Sequence, residues 1–370
     1  TFPMSIWGSI IQAYEDFVFQ KSLNIIRIIL NTVVMICLLH FGYKAVAMVV
    51  VQTIFNVLTL VINFIYCRRK LNIHIYFRFK HFHWGFLKEV ALYSFWIFLN
   101  AIIDRVYWST GQFVLGAMVG TAAVAVFAIA IQLEGMYMQF STAISSVFLP
   151  KVTAMVATNR SRKEISDLFI RTGRIQYIVL AYILSGFIIF GRQFIELWAG
   201  ADYSDAYVIS LLFFIPLTVP LIQNLGITIL QARNEMKFRS VLYIIIALVS
   251  LGMQIVLTRY FGGIGCAMGV SGALVVGQIL IMNVYYRRRQ DLDIKTFWKE
   301  ISKMSIIPIV LIFSSMLVIR HFFALDSWGK LILGIAAFSL VYIPLFFRFS
   351  MTDDERNLFI SMFHKIFGKA

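Results

Sequence analysis

The feature that most constrains this chain is a series of apolar runs, each about 20 residues long. A helix of that length crosses the hydrocarbon of a bilayer and satisfies its backbone hydrogen bonds internally. The 370 residues are 60% hydrophobic and have a mean hydropathy of +0.82, which excludes an ordinary soluble globular protein. A membrane β-barrel is excluded as well, because its strands would be short and would alternate in polarity. The sequence therefore predicts an all-α polytopic membrane protein.

Ten membrane-spanning helices are predicted from these runs. Their approximate bounds are residues 22–41, 43–66, 87–108, 114–148, 172–191, 207–230, 239–258, 264–286, 303–321 and 328–347. The fourth range is longer than one span and is expected to include loop. Residues 1–20 resemble the end of an earlier span followed by a loop, and the chain begins with Thr. We therefore expect the start of the protein to lie upstream.

Lys and Arg are distributed unevenly between the two sides of these spans. Most of the 33 basic residues fall in one alternating set of connections, which includes residues 68–70 and 287–289, and in the tail. The opposite connections hold only Lys44, Arg192, Arg259, Arg320 and Lys330. Because cytoplasmic loops are enriched in Lys and Arg, this alternation supports the span count and predicts a cytoplasmic C-terminus. The net charge of +15 is explained by this topology rather than by nucleic-acid binding.

Two segments outside the spans are expected to lie along the membrane surface. Residues 75–84 interleave aromatic and cationic side chains, which beside two spans is more typical of an interfacial belt than of nucleic-acid binding. The tail begins with a capping box, Thr352 and Glu355, and continues with apolar residues along one helical face beside Lys365 and Lys369. The tail is therefore predicted to be an amphipathic helix on the inner leaflet.

The sequence contains an internal repeat. Matching residues at an offset of 220 positions are Phe41 and Phe261, Gly42 and Gly262, Ala47 and Ala267, Met48 and Met268, Asn63 and Asn283, Tyr66 and Tyr286, Arg68 and Arg288, and Arg69 and Arg289. Matches at an offset of 219 are Gln12 and Gln231, Ala13 and Ala232, Phe19 and Phe238, and Leu23 and Leu242. Both copies enter the membrane with the same polarity, as in transporters built from parallel repeats.

The repeat and the spans together predict a two-lobed protein with an incomplete first lobe. Residues 1–83 would form the C-terminal part of the first helical lobe and an interlobe linker, and residues 84–300 a second six-helix lobe. Residues 301–349 would form two extra transmembrane helices, and residues 350–370 a cytoplasmic amphipathic tail helix. The repeat offset places the start of the first lobe upstream of Thr1, so we expect four of its helices to be missing from this chain.

Ionisable residues inside the spans are the first candidates for a functional site. An ionised group at the bilayer centre costs about 2.5–3.5 kcal/mol on insertion scales, so Asp104, Arg105 and Glu134 are not expected to face lipid. Arg105 is the first candidate to bind an anion, because a guanidinium binds phosphate oxygens in bidentate fashion. Glu134 is a candidate to accept a coupling proton. The alternative for Asp104 and Arg105 is that they satisfy packing within the lobe or snorkel outwards. The alternative for Glu134 is an ion pair with a cation on another helix.

Four further polar residues are candidates for the substrate pathway. Gln132, Gln139 and Thr142 share one helical face and either bind sugar hydroxyls or hold helices together by hydrogen bonds. Arg27 lies near the cytoplasmic end of its span and either attracts anionic headgroups or extends to lipid phosphate. The three cysteines have no metal-ligand spacing, so neither a metal site nor a disulfide is expected.

Several weak motifs occur in a characteristic order along the chain. They are Asp104-Arg105 at the end of a lobe's first span, the Gly- and Ala-rich run 116–133, Phe148-Leu149-Pro150, residues 197–203, and Gln231-Ala232 before a basic loop. In this order they resemble the polysaccharide transporter family of the multidrug/oligosaccharidyl-lipid/polysaccharide exporter superfamily. The resemblance covers essentially the whole chain, which would correspond to the fifth through fourteenth helices of a fourteen-helix protein.

The resemblance implies a flippase in the bacterial cytoplasmic membrane. Its substrate would be an undecaprenyl-pyrophosphate-linked oligosaccharide, moved from the inner to the outer leaflet by alternating access between the lobes for O-antigen or other surface polysaccharide synthesis. The expected partners are this lipid-linked oligosaccharide, membrane lipids and the polysaccharide polymerase machinery, and not nucleic acid. No cofactor and no metal are expected, and coupling to a proton or sodium gradient would be compatible with the fold.

Two other functions remain as alternatives. A multidrug exporter of the same superfamily would bind cationic drugs through membrane carboxylates, whereas the cationic Arg105 favours an anionic substrate. A membrane glycosyltransferase or polysaccharide polymerase would need catalytic carboxylates on a sizeable outer loop. The predicted outer loops are short and hold only Glu196, Asp202, Asp205 and Asp326. The sequence therefore favours a transporter over an enzyme.

Overall fold

The computed structural model describes residues 2–42, 45–73, 84–158, 160–322 and 326–367, and nearly all of them are helical. The main helices in chain order are α1 (Ile6–Ala13), α2 (Phe17–His40), α3 (Ala45–Arg69), α4 (Trp84–Met118), α5 (Thr121–Ser146), α6 (Leu149–Ala157), α7 (Arg162–Trp198), α8 (Asp205–Ile222), α9 (Asn224–Ala232), α10 (Met236–Leu274), α11 (Met282–Arg288), α12 (Ile294–Phe322), α13 (Trp328–Phe349) and α14 (Asp353–Phe367). A π-helical segment, Val275–Ile281, joins α10 to α11. The predicted interfacial belt lies outside the described residues except for its last member, Trp84.

Nine helices of the described ranges are long and apolar enough to cross a membrane. One of them, Met236–Arg288, has 53 residues and is too long for a single pass. Gly262 interrupts it with φ 55° and ψ −132°, a left-handed conformation that glycine adopts readily. If the helix turns back on itself at Gly262, it crosses the membrane twice, and the nine helices of the described ranges provide ten passes.

Close glycine contacts show that the interrupted helix does turn back. A Cβ atom on Gly265 would overlap the Leu257 backbone oxygen, and one on Gly269 would lie 2.6 Å from the Gln254 nitrogen. The later glycine in the sequence therefore faces the earlier residue of the other arm, which is the pattern of two antiparallel helices. Met236–Arg288 is thus a hairpin, and it contains the two predicted spans 239–258 and 264–286.

The third and fourth predicted spans correspond to α4 and α5. The turn between them is short and contains Gly120 at φ 127°. Helix α4 extends to Met118 and α5 ends at Ser146, so the loop expected within residues 114–148 is limited to this turn and to Val147 and Phe148. The all-helical, polytopic fold class predicted from the sequence is confirmed.

The chain divides into two compact units, Thr1–Gly85 and Phe86–Ala370. Unit 1 contains α1, α2 and α3 and has a small core of Trp7, Ile11 and Cys67. Unit 2 contains nearly all of α4 and the helices that follow it, and its larger core joins α5, α7, α8 and α10. The finer predicted division at residues 300 and 349 stays a prediction.

Left-handed turns recur at equivalent positions in the two units. Glu15 and Asn234 have φ values of 60° and 56°, and Asn72 and Asp291 have φ values of 51° and 53°. The members of each pair are 219 positions apart in the sequence. Because such φ values are uncommon for residues other than glycine, their recurrence at one spacing supports the internal repeat.

Side-chain contacts recur at the same spacing. Phe19 stacks on Tyr66 with ring centroids 3.6 Å apart, and Phe238 stacks on Tyr285 at 4.0 Å. Tyr66 is therefore structurally equivalent to Tyr285, although sequence matching paired it with Tyr286. The structural offset at the end of α3 is thus one residue smaller than the offset of the sequence matches.

The C-terminal helix α14 is attached to α7 by a buried ion pair. Arg174 of α7 donates hydrogen bonds to Glu355 at 2.7 Å and to Glu300 of α12 at 2.7 Å. The predicted capping box is confirmed, since the Thr352 amide donates to the Glu355 carboxylate at 2.9 Å and the Thr352 hydroxyl accepts from the Glu355 amide. One carboxylate therefore both caps α14 and fixes it to α7. Placement of the tail on the inner leaflet stays a prediction.

Candidate substrate cavity

A cavity of about 280 Å³ lies inside unit 2, enclosed by α4, α5, α8, α9, α10 and the π-helical segment. Most of its lining is apolar or aromatic. The polar and charged residues in the lining are Asn100, Asp104, Thr142, Asn224, Gln231, Arg239 and Gln278. An apolar cavity with a few convergent polar groups is the usual form of a small-molecule binding site.

Arg239 is the cation of this cavity. It is only 8% exposed, and its Nη1 donates to Asn100 Oδ1 at 2.7 Å. The guanidinium carbon lies 4.2 Å from the centroid of the Tyr243 ring, which is a cation–π contact. Its Nε is buried and has no hydrogen-bond partner among the described residues. The guanidinium is thus held in place by Asn100 and Tyr243 and keeps an unused donor.

Gln278 contributes a second unused donor to the cavity. Its side chain is 6% exposed, and its Nε2 has no partner in the described part of the chain. The residue belongs to the π-helical segment Val275–Ile281, and such segments occur frequently at functional sites. Because buried donors are normally hydrogen-bonded, these two unused donors make Arg239 and Gln278 candidates to bind acceptor oxygens.

Asp104 and Glu134 supply two acidic groups to the same region. Asp104 lines the cavity one helical turn beyond Asn100, and its carboxylate interacts electrostatically with Arg239. Glu134 of α5 is 2% exposed, and its Oε1 has no partner among the described atoms. It does not line the cavity, but it lies close enough to Asp104 for the two carboxyl groups to interact.

The other sequence candidates are spread over different surfaces. Thr142 lines the cavity, and its hydroxyl donates to carbonyl groups of its own helix. Gln139 lies in a separate, shallow and mainly apolar depression, and Gln132 is exposed. Arg105 is exposed, while Arg27 lies in unit 1 and donates to Asn56. The cavity therefore brings together Asp104 and Thr142 but not the remaining candidates.

Arg239, which carries the positive charge of the cavity, is not among the candidates predicted from the sequence. Arg239 lies in the first turn of α10, close to the predicted cytoplasmic connection before that helix. Two spacings in the sequence indicate its role. Asn100 and Asp104 are four residues apart on α4, and Arg239 and Tyr243 are four residues apart on α10, so each pair shares one helical face.

Helix α8 next to the cavity is weakened by two prolines, Pro216 and Pro220. A proline lacks an amide hydrogen, so Pro216 leaves the Leu212 carbonyl without its helical donor. The Ser271 hydroxyl of α10 donates to this carbonyl at 2.6 Å. The Leu212 carbonyl is thus satisfied by a side chain from the neighbouring helix.

Comparisons with known proteins agree with this architecture. Residues 7–208 match the model of a family described as polysaccharide biosynthesis protein. The fold is similar to a solved structure of the lipid II flippase MurJ in an inward closed conformation, with a TM-score of 0.57 and 17% sequence identity. The similarity covers 82% of this chain and 63% of that chain, so this chain spans less than two thirds of that protein's length.

Comparison with curated proteins finds no match. The match to the family model nevertheless extends over more than half of the 370 residues. It confirms the resemblance identified from the order of the sequence motifs, and the similarity to MurJ confirms an exporter-like helical fold. This chain is a multi-pass membrane protein that belongs to the polysaccharide biosynthesis protein family.

Proposed function

We propose that this protein moves a lipid-linked saccharide with an anionic phosphate group across the membrane. The observation that carries the proposal is the cavity of unit 2, in which Arg239 Nε and Gln278 Nε2 are buried donors without partners. Guanidinium and amide donors bind phosphate and sugar oxygens, and the surrounding apolar lining excludes water. The family and the fold shared with a lipid II flippase favour a lipid-linked substrate.

The finer proposal is an undecaprenyl-pyrophosphate-linked oligosaccharide that moves from the inner to the outer leaflet for surface polysaccharide synthesis. The lipid tail would remain in the bilayer while the polar headgroup passes through the cavity, which would open alternately to the two sides. In a cell that is negative inside, export of an anion is favoured by about 2.3 kcal/mol per charge per 100 mV. No covalent bond of the substrate changes in this process, so the proposed protein is a transporter and not an enzyme.

The proposed location is the bacterial cytoplasmic membrane, with the C-terminus in the cytoplasm. The excess of Lys and Arg in one set of connections supports this orientation. The polysaccharide polymerase machinery is the proposed downstream partner, because it would use the saccharide delivered to the outer leaflet.

Complementation tests the proposal and the role of Arg239 together. The full-length gene is expected to restore surface polysaccharide in a strain that lacks its own lipid-linked saccharide flippase. Arg239→Gln should reduce the restored polysaccharide about ten-fold or more, because the main cationic donor group of the cavity is lost. Arg287→Gln serves as the matched control, since Arg287 is exposed and lies outside the cavity lining.

Three outcomes are informative. Loss with Arg239→Gln and full restoration with Arg287→Gln would support the assignment. Equal restoration by both variants would reject Arg239 as the anion-binding residue. Failure of the wild-type full-length gene, with the protein present in the membrane, would contradict the proposed function itself.

A further inference from the structure

Helices α6 and α7 of unit 2 border a charged cleft that is separate from the substrate cavity. The cleft has a volume of about 450 Å³ and lies between α6 and the first turns of α7. Its ionisable residues are Lys151, Arg160, Glu164, Asp167 and Arg171, and the rest of its lining is apolar. None of these five residues lines the substrate cavity, so the proposed transport does not account for them.

Three of the five ionisable groups in the cleft are unpaired. Arg160 Nη1 lies 3.5 Å from Glu164 Oε2, so these two residues form an ion pair. The side chains of Lys151, Asp167 and Arg171 are exposed and form neither a hydrogen bond nor an ion pair with the described residues. The cleft therefore presents two unpaired cations and one unpaired carboxylate.

An apolar depression follows the cleft along α7. It has a volume of about 570 Å³ and is lined by residues of α5 and α7, which are Met136, Gln139, Phe140, Ala143, Ile144 and Val179. Met136 and Phe140 are 48% and 49% exposed. Val179 lies eight residues after Arg171, which places it about two turns, or about 12 Å, further along the same side of α7. A charged surface and an apolar surface thus succeed one another on unit 2.

The predicted spans place these two surfaces at different levels of the membrane. The residues of the depression all fall within the predicted spans 114–148 and 172–191, and those of the cleft all fall between these spans. The change from apolar to charged lining therefore coincides with the predicted ends of the spans. By the distribution of Lys and Arg, this connection lies on the same side as residues 68–70 and 287–289, which is the proposed cytoplasmic side.

We propose that the cleft and the depression together bind one molecule of phosphatidylethanolamine from the inner leaflet. The acyl chains pack in the apolar depression, the phosphate binds Lys151 and Arg171, and the ammonium group donates hydrogen bonds to Asp167. This lipid is a bound component of unit 2 and is not transported. The inference therefore does not depend on the proposed function.

The charges of the cleft select this headgroup among common phospholipids. Phosphoethanolamine carries one anionic phosphate and one ammonium group with three N–H donors, which matches two cations and one carboxylate. Phosphatidylglycerol has no ammonium group, so it would leave Asp167 unpaired beside a negative phosphate. The quaternary ammonium of phosphatidylcholine has no N–H donor and cannot donate a hydrogen bond to Asp167.

Lipid binding to the purified full-length protein tests this proposal. The probes are dioleoyl phosphatidylethanolamine, phosphatidylcholine and phosphatidylglycerol, which share their acyl chains and differ in the headgroup. Native mass spectrometry in detergent counts the bound molecules at increasing lipid concentration. Asp167→Asn removes the partner of the ammonium group, and Arg171→Gln removes a partner of the phosphate. Lys163→Gln is the matched control, because Lys163 is an exposed cation of the same connection that does not line the cleft.

The wild type is expected to bind phosphatidylethanolamine about three- to five-fold more tightly than the other two lipids, since exposed charge pairs contribute modestly. Asp167→Asn should abolish this preference and leave binding of phosphatidylcholine within about two-fold of the wild type. Arg171→Gln should weaken binding of phosphatidylethanolamine about three- to five-fold, and Lys163→Gln should change it by less than about two-fold. Since all three substituted residues are exposed, the variants are expected to fold.

Three results would overturn the proposal. Tighter binding of phosphatidylglycerol than of phosphatidylethanolamine would show that the cations alone attract anionic lipids. A preference for phosphatidylethanolamine that persists in Asp167→Asn would place the lipid at another site. An equal loss of binding in Arg171→Gln and Lys163→Gln would show a general effect of surface charge. Each of these results leaves the proposed function standing, because complementation tests that function separately.

Discussion

Asp104 and Arg105 are neighbours in α4, but they point in different directions. With 3.6 residues per turn, adjacent side chains lie about 100° apart around a helix. Asp104 lines the cavity, and Arg105 is exposed. The positive charge beside Asp104 comes instead from Arg239, which is distant in sequence and is held by Asn100 and Tyr243. A role for Arg105 stays a prediction, and the cavity favours Arg239 as the anion-binding group.

Glu355 shows how one buried carboxylate combines two roles. Burial raises the pKa of this carboxyl. The hydrogen bonds from Arg174 and the Thr352 amide lower the pKa by more than burial raises it, so the pKa lies below its usual value of 4.5. A lowered pKa in the folded state means that the ionised form stabilises the fold. This contribution is present above the usual pKa and disappears as the pH falls through the lowered pKa.

We therefore predict that Glu355→Gln destabilises the protein at neutral pH. The side chains of Arg174 and Glu355 are 7% and 4% exposed, and breaking a buried ion pair typically costs about 3–5 kcal/mol. The remaining Glu300 should keep the loss towards the lower end of that range. Thermal unfolding at pH 7 should show a lower midpoint for the variant, and the difference from the wild type should vanish on acidification well below pH 4.5. A difference that is independent of pH would contradict this account.

At the scale of elements, glycines decide how closely the two arms of the Met236–Arg288 hairpin approach. Gly265, Gly269 and Gly272 recur at spacings of four and three residues and face the other arm. Small residues at such spacings let membrane helices pack backbone against backbone. Gly262 reverses the chain between the arms, and Gly252 lies on the same hairpin without any neighbour within 4 Å of its Cβ position.

This difference predicts opposite effects for two identical substitutions. Gly269→Ala should destabilise the protein by about 1–3 kcal/mol, because the new Cβ would lie 2.6 Å from the Gln254 backbone nitrogen and would force the arms apart. Gly252→Ala should be neutral or stabilise by about 0.5–1 kcal/mol, because alanine favours the helix and meets no neighbour. Thermal unfolding in detergent measures both, and equal midpoints for the two variants would refute close packing of the arms.

At the scale of the whole molecule, both units use the same turn geometry around corresponding helices. The left-handed turns and the stacked aromatic pairs show which helices correspond. Helix α1 corresponds to α9, and α2 corresponds to the first arm of α10. Helix α3 corresponds to the second arm of α10 and its continuation into α11. A duplicated unit that keeps its membrane polarity places its basic ends on one side. The basic residues at 68–70 and 287–289 should accordingly lie on the same side of the membrane.

The topology gives a direct prediction for labelling in cells. A single cysteine introduced as Arg288→Cys, with the native cysteines replaced by serine, should react with a membrane-impermeant reagent only after the cells are opened. Arg192→Cys should react in intact cells, because Arg192 is exposed and belongs to the opposite set of connections. Labelling of the Arg288 position in intact cells would reverse the proposed orientation.

Most of the helical architecture was predictable from local sequence. Apolar length specifies a membrane helix almost independently of its neighbours, so α3 and α13 follow their predicted spans within a few residues. Helices α2 and α12 end where predicted but begin earlier, at Phe17 and Ile294, because their first turns contain polar residues and are helical at the same time. The capping box at Thr352 and Glu355 was likewise predictable, because its two hydrogen bonds are only three residues apart. The family was identifiable from the order of motifs, even though each motif alone is weak.

The cavity was only partly predictable, because its lining comes from six distant segments. The sequence alone determined that Asp104, Glu134 and Arg27 lie within long apolar helices, since hydropathy and helical length depend on neighbouring residues only. Tertiary structure decided that Arg239 rather than Arg105 carries the charge of the cavity, and that Arg27 meets Asn56 of the neighbouring helix. These relations depend on the rotation and depth of each helix against its neighbours, and packing between residues far apart in the chain sets both.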